Sequence, residues 1–286
     1  MTSRISRRVF TLATITGIAG ATYAKAFESE WLEYTEKECQ IPSLGGTVDI
    51  VHLSDFHACS DVPNSLIERA IQMAAAARPD LICVTGDFVT KYRSVDATWY
   101  ANALRCLAET APTFAVLGNH DIGSRFSDSV EYPTRSGILD ILKTAGITLL
   151  HNRSQKFVTT AGVTLQLTGV GDLLTREIDG AEAFSSGSLD HPTVLLSHNP
   201  DSKDAVARYA WDLMLCGHTH GGQVVAPIVG ISPAPVHDRR YIAGMKRWRD
   251  RWIHVSRGVG SIGGFRFNCR PEVTRVRLLP EPPSIT

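Results

Sequence analysis

Five apolar stretches of this chain each run straight into a residue able to bind a metal ion. Val48–Ser54 leads into Asp55-Phe56-His57, Leu81–Thr85 into Gly86-Asp87, and Thr113–Leu117 into Gly118-Asn119-His120-Asp121. Thr193–Ser197 leads into His198-Asn199, and Leu213–Cys216 into Gly217-His218-Thr219-His220. Each stretch has the length and composition of a buried strand. The carboxyl ends of strands in an open α/β sheet are where ligands bind. A fold that satisfies this pattern must bring five strand ends to one edge.

Alone, each residue has an ordinary reading. His198 is a loop residue, Asp87 a turn or helix cap, and Asn119 a residue that tolerates left-handed backbone. Together they form a set that packing does not require. Asp-x-His at one end and His-x-His at the other can turn two side chains each toward a shared centre. Glycine before Asp87, Asn119 and His218 lets the chain turn tightly there. Carboxylate, amide and imidazole donors suit Mn²⁺, Zn²⁺ or Fe rather than Ca²⁺. Two such ions about 3.5–4 Å apart clamp phosphoryl oxygens and generate a hydroxide nucleophile.

The blocks Asp-x-His, Gly-Asp, Gly-Asn-His-Asp, a lone His and Gly-His-x-His, in this order, resemble the calcineurin-like metallophosphoesterase superfamily. The resemblance covers about residues 48 to 280 and implies a four-layer αββα sandwich. It implies that Asp55, His57 and His220 bind one ion, and that Asn119, His198 and His218 bind the second. Asp87 bridges the two. It gives His120 the role of contacting phosphate and protonating the leaving oxygen, with Asp121 orienting its ring. The segments Gly217–Val224, Val255–Gly260 and Phe265–Glu272 are similar to the YkuE/YaeI-like branch of phosphodiesterases and phosphatases. The activity implied is hydrolysis of a phosphodiester, phosphomonoester or pyrophosphate, in a small-molecule or lipid substrate. Pyrophosphate hydrolysis of UDP-2,3-diacylglucosamine is an alternative, and a non-catalytic metal-binding envelope protein is an alternative of another class.

The remainder of the chain supports an α/β fold of two packed mixed sheets with helices outside. Further strands are expected at Val163–Gly169, Trp252–Ser256 and Val273–Leu278. Helices are expected at Leu66–Ala77, Thr98–Glu109, Gly137–Ala145 and Ser202–Tyr209. Residues 27–46 read as a lead-in strand and loop. Early strands alternate with helices, as in parallel β-α-β units. Later strands lie closer together, which suggests a mixed or antiparallel second sheet. Lys and Arg together number 29, as do Asp and Glu, so no net charge favours a nucleic acid, and no nucleic-acid binding is expected.

The N-terminus is a separate matter. Arg4, Arg7 and Arg8 precede an uncharged, weakly apolar run, Thr11–Tyr23, and Ala24-Lys25-Ala26 has the form of a signal-peptidase site. Ser6-Arg7-Arg8-Val9-Phe10 resembles a twin-arginine export signal, although Thr11-Leu12 departs from the usual continuation. Residues 1–26 are therefore expected to be a twin-arginine signal or an N-terminal anchor, and 27–286 the metallophosphoesterase domain. The first reading places the domain in the periplasm or cell envelope, with the twin-arginine export machinery as partner. The second leaves it anchored to the inner membrane and facing the cytoplasm. A mixed basic and aromatic segment, Lys246–Trp252, suggests peripheral contact with anionic lipid. Arg257 and Arg266 are candidates to meet a second substrate phosphate. Asp172 is a turn residue or lies at the rim of the site. Cys39, Cys59 and Cys269 are candidates for pairing in an oxidising compartment, and the absence of Cys-x-x-Cys argues against a thiolate zinc site.

Overall fold

The computed structural model describes residues 22–90, 95–122, 135–187, 190–227, 230–231 and 234–282. The Ser6–Phe10 motif and most of the Thr11–Tyr23 run lie outside them. Fourteen strands are present in the described residues: β1 (Glu33–Ile41), β2 (Val48–Leu53), β3 (Leu81–Thr85), β4 (Thr113–Val116), β5 (Thr148–Leu149), β6 (Arg153–Val158), β7 (Thr164–Gly169), β8 (Thr193–Leu196), β9 (Leu213–Cys216), β10 (Val225–Ala226), β11 (Gly230–Ile231), β12 (Gly244–Trp248), β13 (Arg251–Val255) and β14 (Glu272–Pro280). They build two six-stranded sheets, ordered β1-β14-β2-β3-β4-β5 and β12-β13-β9-β8-β7-β6, with β10-β11 as a small separate ladder.

Alternation along the strands explains the layering. In β2, Val48 and Ile50 face the opposite sheet, whereas Val51 and Leu53 face helices. β3 and β4 divide the same way, with Leu81, Cys83, Phe114 and Val116 between the sheets and Ile82, Val84 and Ala115 beneath helices. A third cluster, including Leu195, Met214, Ile253 and Val255, covers the outer face of the second sheet. Three apolar layers separate four layers of structure, and strands buried on both faces read as continuous apolar runs.

Helices α1 (Asn64–Ala76), α2 (Ala97–Thr110) and α3 (Arg135–Ala145) cover the first sheet. Leu66, Ile67, Ala70, Ile71 and Ala74 put one buried stripe on α1. The helix stops before Arg78, which is left-handed at φ 47° ahead of Pro79. Asp96 caps α2 by accepting from the Thr98 and Trp99 N–H groups at 2.9 and 3.0 Å. The helix expected over Ser202–Tyr209 is shorter, Ser202–Ala205. The chain turns after it so that Val206 and Trp211 can both enter the core under the second sheet. β6 and β12 were not evident in the sequence because they are edge strands with polar, solvent-facing residues.

Both sheets are mixed. β2, β3, β4 and β5 are parallel, and so are β7, β8, β9 and β13. The second sheet is mixed, as expected: the connections joining β7, β8, β9 and β13 are parallel crossovers without long helices, alongside two hairpins. Antiparallel pairs occur at β14-β2, β6-β7 and β12-β13. The parallel strands of both sheets end at one common edge.

Behind that edge, two buried histidines join the sheets. His52 Nδ1 and His254 Nδ1 are 2.9 Å apart, and His52 Nε2 lies 2.8 Å from Thr85 Oγ1. Burial keeps both rings neutral; it lowers His254 to about 4 and His52 well below its usual value. Between pH 6.5 and about 4 the unfolded chain binds the extra protons, so stability falls as pH falls. His254 alone is expected to contribute roughly 2 kcal/mol of loss between pH 7 and pH 5. Urea unfolding of wild type and His254→Asn at both pH values tests this; an unchanged pH difference in the variant rejects it.

Candidate metal centre

The loops after β2 and β3 leave their strands side by side. The Asp55 N–H donates to Gly86 O (3.0 Å), and the His57 N–H donates to Asp87 O (2.9 Å). The pairing thus continues past the strand ends and sets Asp55, His57 and Asp87 next to one another. The second sheet does the same, with the Gly217 N–H on His198 O at 2.9 Å. Across the gap between sheets, the His218 N–H reaches both Asp55 carboxylate oxygens at 3.0 and 3.1 Å.

Five of the seven expected ligands sit in left-handed backbone: Asp55 (φ 52°), His57 (46°), Asp87 (53°), His218 (72°) and His220 (50°). Such geometry costs a non-glycine residue roughly 1–2 kcal/mol and clusters at functional sites. The glycines act differently from the sequence expectation. Only Gly86 has positive φ among the three that precede ligands. Gly118 and Gly217 are needed for closeness: a Cβ on Gly118 would overlap the Asp87 carboxylate, and one on Gly217 the Asp55 carboxylate and Ser54 hydroxyl.

The side chains form two groups that meet at Asp87. In the first, His57 Nε2 and His220 Nε2 are 2.9 Å apart and lie 3.8 and 3.5 Å from Asp55 Oδ1. In the second, His198 Nε2 is 3.1 Å from Asp87 Oδ2, with the His218 ring beside it. Asp87 Oδ2 is also 3.5 Å from His57 Nε2, so this carboxylate touches both groups. Asn119 Oδ1 is buried and has no hydrogen-bond partner in the protein. A buried amide oxygen left in that condition fits a cation site.

Contacts behind the rings fix which nitrogen faces inward. His198 Nδ1 donates to Thr85 O (2.7 Å), leaving Nε2 toward Asp87. His218 Nε2 donates to Pro235 O (3.2 Å), leaving Nδ1 inward. His57 Nδ1 rests on Thr90 Oγ1 at 2.5 Å. Such outer contacts orient ligating imidazoles. Thr90 and Pro235 carry no sequence signal, since a lone Thr or a backbone carbonyl looks like any other.

Burial sets the charges. It holds His57 at about 3 and His218 at about 4, with His220 well below its usual value, so all three offer lone pairs at neutral pH. Burial, opposed by His198 and aided by Asp87, pushes Asp55 up to about 6. Burial also disfavours the Asp87 charge, but His198, His120 and His57 outweigh it and hold that carboxyl well below the usual range. His198 is raised well above its ordinary value, burial being overcome by Asp87 and Asp55. Two buried carboxylates thus draw positive charge to the place where the imidazoles converge, which suits divalent cations.

His120 is half-buried, its ring edge-on to His57 and its N–H on Asp87 Oδ1 at 2.9 Å. Asp121 is fully buried, and burial followed by the Asp87 charge raises it to about 8. Its carboxylate accepts the N–H groups of Phe88 (2.8 Å), Val89 (3.2 Å) and Gly118 (2.9 Å). Asp121 thereby ties the Asp87 loop to the Asn119 loop, and it acts on His120 through the position of that turn. Asp172 accepts the Thr175 N–H in a tight turn.

Several other expectations change. Arg266 is completely buried, its guanidinium donating to Arg257 O (2.7 Å), Gly258 O (3.2 Å), Gly260 O and Cys269 O (3.3 Å). Arg257 pairs with Glu272 and Glu33. Both guanidinium groups are thus engaged within the protein. No disulfide links any of the six cysteines. In the Lys246–Trp252 hairpin, Arg247 lies over Trp252 and Arg249 over Trp248, both at 4.4 Å, so the aromatic faces are covered by the hairpin itself.

Residues 48–222 match the calcineurin-like phosphoesterase family profile. The chain is 40% identical over 281 residues to phosphodiesterase YaeI of Escherichia coli (strain K12), covering 96% of this chain and 100% of that one. It is 30% identical to the metallophosphoesterase YkuE of Bacillus subtilis (strain 168), over 91% and 90% of the two chains. It is 25% identical to the UDP-2,3-diacylglucosamine pyrophosphatase LpxG of Chlamydia muridarum, over 91% and 93%. In fold it is similar to a 5'-nucleotidase precursor from Thermus thermophilus, with a TM-score of 0.50 at 16% identity, covering 82% of this chain and 54% of that one. The chain thus spans about half the length of the solved structures it resembles.

Proposed function

This chain belongs to the calcineurin-like phosphoesterase family and is a metal-dependent phosphoric ester hydrolase, and we propose that it cleaves phosphodiesters at a two-ion site. The convergence of ligand atoms on either side of Asp87 carries this reading. Asp55, His57 and His220 would hold one ion and Asn119, His198 and His218 the other, with Asp87 shared between them. The donor mixture favours Mn²⁺, Zn²⁺ or Fe. When bound, the ions supply Lewis acidity toward the phosphoryl oxygens and lower the pKa of water to give the nucleophile.

The chain supplies the rest. Loop pairing after β2, β3, β8 and β9 presets the ligand positions, so little reorganisation remains on substrate binding. His120 stands at the open side of the cluster, where an imidazole can hand a proton to the departing oxygen. Asp121 and Gly118 fix the turn that places it.

Full-length protein assayed on an aryl phosphodiester should lose activity on exhaustive chelation and regain it with Mn²⁺, Zn²⁺ or Fe²⁺. Turnover that survives chelation overturns the reading, and no turnover with any ion favours a non-catalytic metal-binding envelope protein. The name of the Chlamydia muridarum relative supports a second substrate reading, the pyrophosphate of a nucleotide-linked lipid. For location, we read residues 1–26 as a twin-arginine export signal or a retained anchor. A compartment-sensitive reporter fused after Thr286 separates the two.

A further inference from the structure

Among the described residues no helix is long and apolar enough to cross a membrane, yet large apolar side chains gather at one place. Residues 22–26 are helical, and Tyr23, Phe27 and Trp31 follow one another at four-residue spacing. They are 37%, 63% and 51% exposed, and the Tyr23 and Phe27 rings stack at 6.4 Å. The segment 262–270 packs along this strip: the Arg266 N–H donates to Ala24 O at 3.0 Å, and the Cys269 N–H to Glu28 Oε1 at 2.6 Å. It adds Ile262 (49% exposed) and Phe265 (41%). Large exposed apolar side chains grouped on two adjoining segments mark an interaction surface.

Topology sets this surface on the edge that carries the metal centre. β14 pairs antiparallel with β2, Thr274 opposite His52, so β14 begins where β2 ends. β1 runs parallel to β14 with Glu33 opposite Glu272, and Trp31 lies just before it. Gln223, three residues past His220, binds the Ile262 backbone through both amide groups at 2.8 and 3.0 Å. The Arg249-Asp250 hairpin tip, in contrast, precedes β13, whose Trp252 pairs with Leu213 at the start of β9. That tip is one strand length, roughly 13 Å, toward the opposite edge. Contact there would turn the metal centre away from a bilayer.

The character of the strip and of the sequence before it selects the occupant. Aromatic rings with basic neighbours suit the headgroup region. Lys25 is exposed, and the Arg270 guanidinium lies 3.6 Å from the Trp31 ring centroid. Acidic groups at the margin are mostly engaged: Glu28 is buried, Glu30 half-buried, Glu33 paired with Arg257 although its side chain is 40% exposed, and Asp61 exposed beside Gly264. The uncharged Thr11–Tyr23 run leads directly into the strip behind Arg4, Arg7 and Arg8. It falls short of the roughly 20 residues needed to span, and the three arginines before it favour an anionic surface. Ala24 is buried against the 262–270 segment, so the strip is part of the folded domain.

We propose that Phe27, Trp31, Ile262 and Phe265, joined by Tyr23 when residues 1–26 are retained, form a bilayer-docking surface that seats the metal centre against anionic lipid headgroups, making the substrate a lipid phosphoester. The substrate half of this proposal rests on the hydrolase reading above; the docking half does not.

The test is sedimentation of the full chain with vesicles of phosphatidylcholine containing one third phosphatidylglycerol. The triple variant Phe27→Ser, Trp31→Ser, Phe265→Ser should lose at least roughly ten-fold in partitioning, with hydrolysis of a soluble aryl phosphodiester unchanged. The hairpin variant Arg247→Ser, Arg249→Ser should bind like wild type. Unchanged partitioning of the triple variant, or loss in the hairpin variant, overturns the proposal. So does wild type that ignores vesicles but self-associates through the strip, which would make it an interface between copies. Phe27→Trp, a single exposed change, provides a reading independent of the triple variant's folding: brominated lipid should quench its added fluorescence, and no quenching rejects docking. Absence of hydrolysis by wild type that docks would instead remove the hydrolase reading and the substrate half with it, leaving the docking half standing.

Discussion

Asp87→Asn should lower kcat/KM on an aryl phosphodiester by roughly 10³-fold or more while leaving the protein folded. Asparagine keeps the shape and tolerates the left-handed backbone that Asp87 adopts (φ 53°). Its oxygen can still accept the His120 N–H now on Asp87 Oδ1. What disappears is the negative charge shared by the two histidine groups, with Asp87 Oδ2 3.1 Å from His198 Nε2 and 3.5 Å from His57 Nε2. The same substitution should reduce the bound metal, measured by elemental analysis after dialysis. Near-normal turnover with full metal content would show that Asp87 does not join two ions.

Arg266→Met should have the largest effect on stability, about 3–5 kcal/mol, because it removes the partner of a buried polar cluster. Methionine fills much of the same volume but donates no hydrogen bond. The carbonyls of Arg257, Gly258, Gly260 and Cys269 would all lose their donor at once. For a domain of this size that is roughly 10 °C in Tm. The loop concerned also reaches the site: Arg266 Nη2 is 3.5 Å from His220 Nδ1, and Gly260 N–H donates to Asp55 O at 2.7 Å. Thermal unfolding measures the effect, and a shift of only a degree or two would reject a structural role for the guanidinium.

The parts of the molecule that sequence reveals are those where one physical demand dominates. β3 and β9 were legible to the residue because both of their faces are buried, and the ligand blocks were legible because five strand ends repeat one chemistry. β6 and β12 answer to solvent on one side and to the sheet on the other, and their polar residues hide the strand. The left-handed backbones of Asp55, His57, His218 and His220 have no local signature, since only the assembled loops impose them. Asp121 was visible as a member of a motif, but two of its three backbone partners come from a loop more than thirty residues earlier. Arg266 read as a candidate for a substrate phosphate, and only its surroundings make it a core residue. The mixed character of the second sheet was legible, but not which of its strands pair in parallel, because short crossovers resemble hairpins when only spacing is read.

The strand ends that face one another at the common edge belong to different sheets, Asp55, His57, Asp87 and Asn119 to one, and His198, His218 and His220 to the other. Neither half of the polypeptide carries a full coordination set. During synthesis the centre is completed only after His220 has emerged and the two sheets have docked. Metal choice is therefore made late, by a folded or nearly folded protein, from whatever ions surround it at that moment. A route that moves the chain across a membrane already folded fixes that choice before departure, whereas threading it unfolded postpones the choice until arrival. Where bound ions do not exchange afterwards, the metal content of the isolated protein would carry a record of where folding took place.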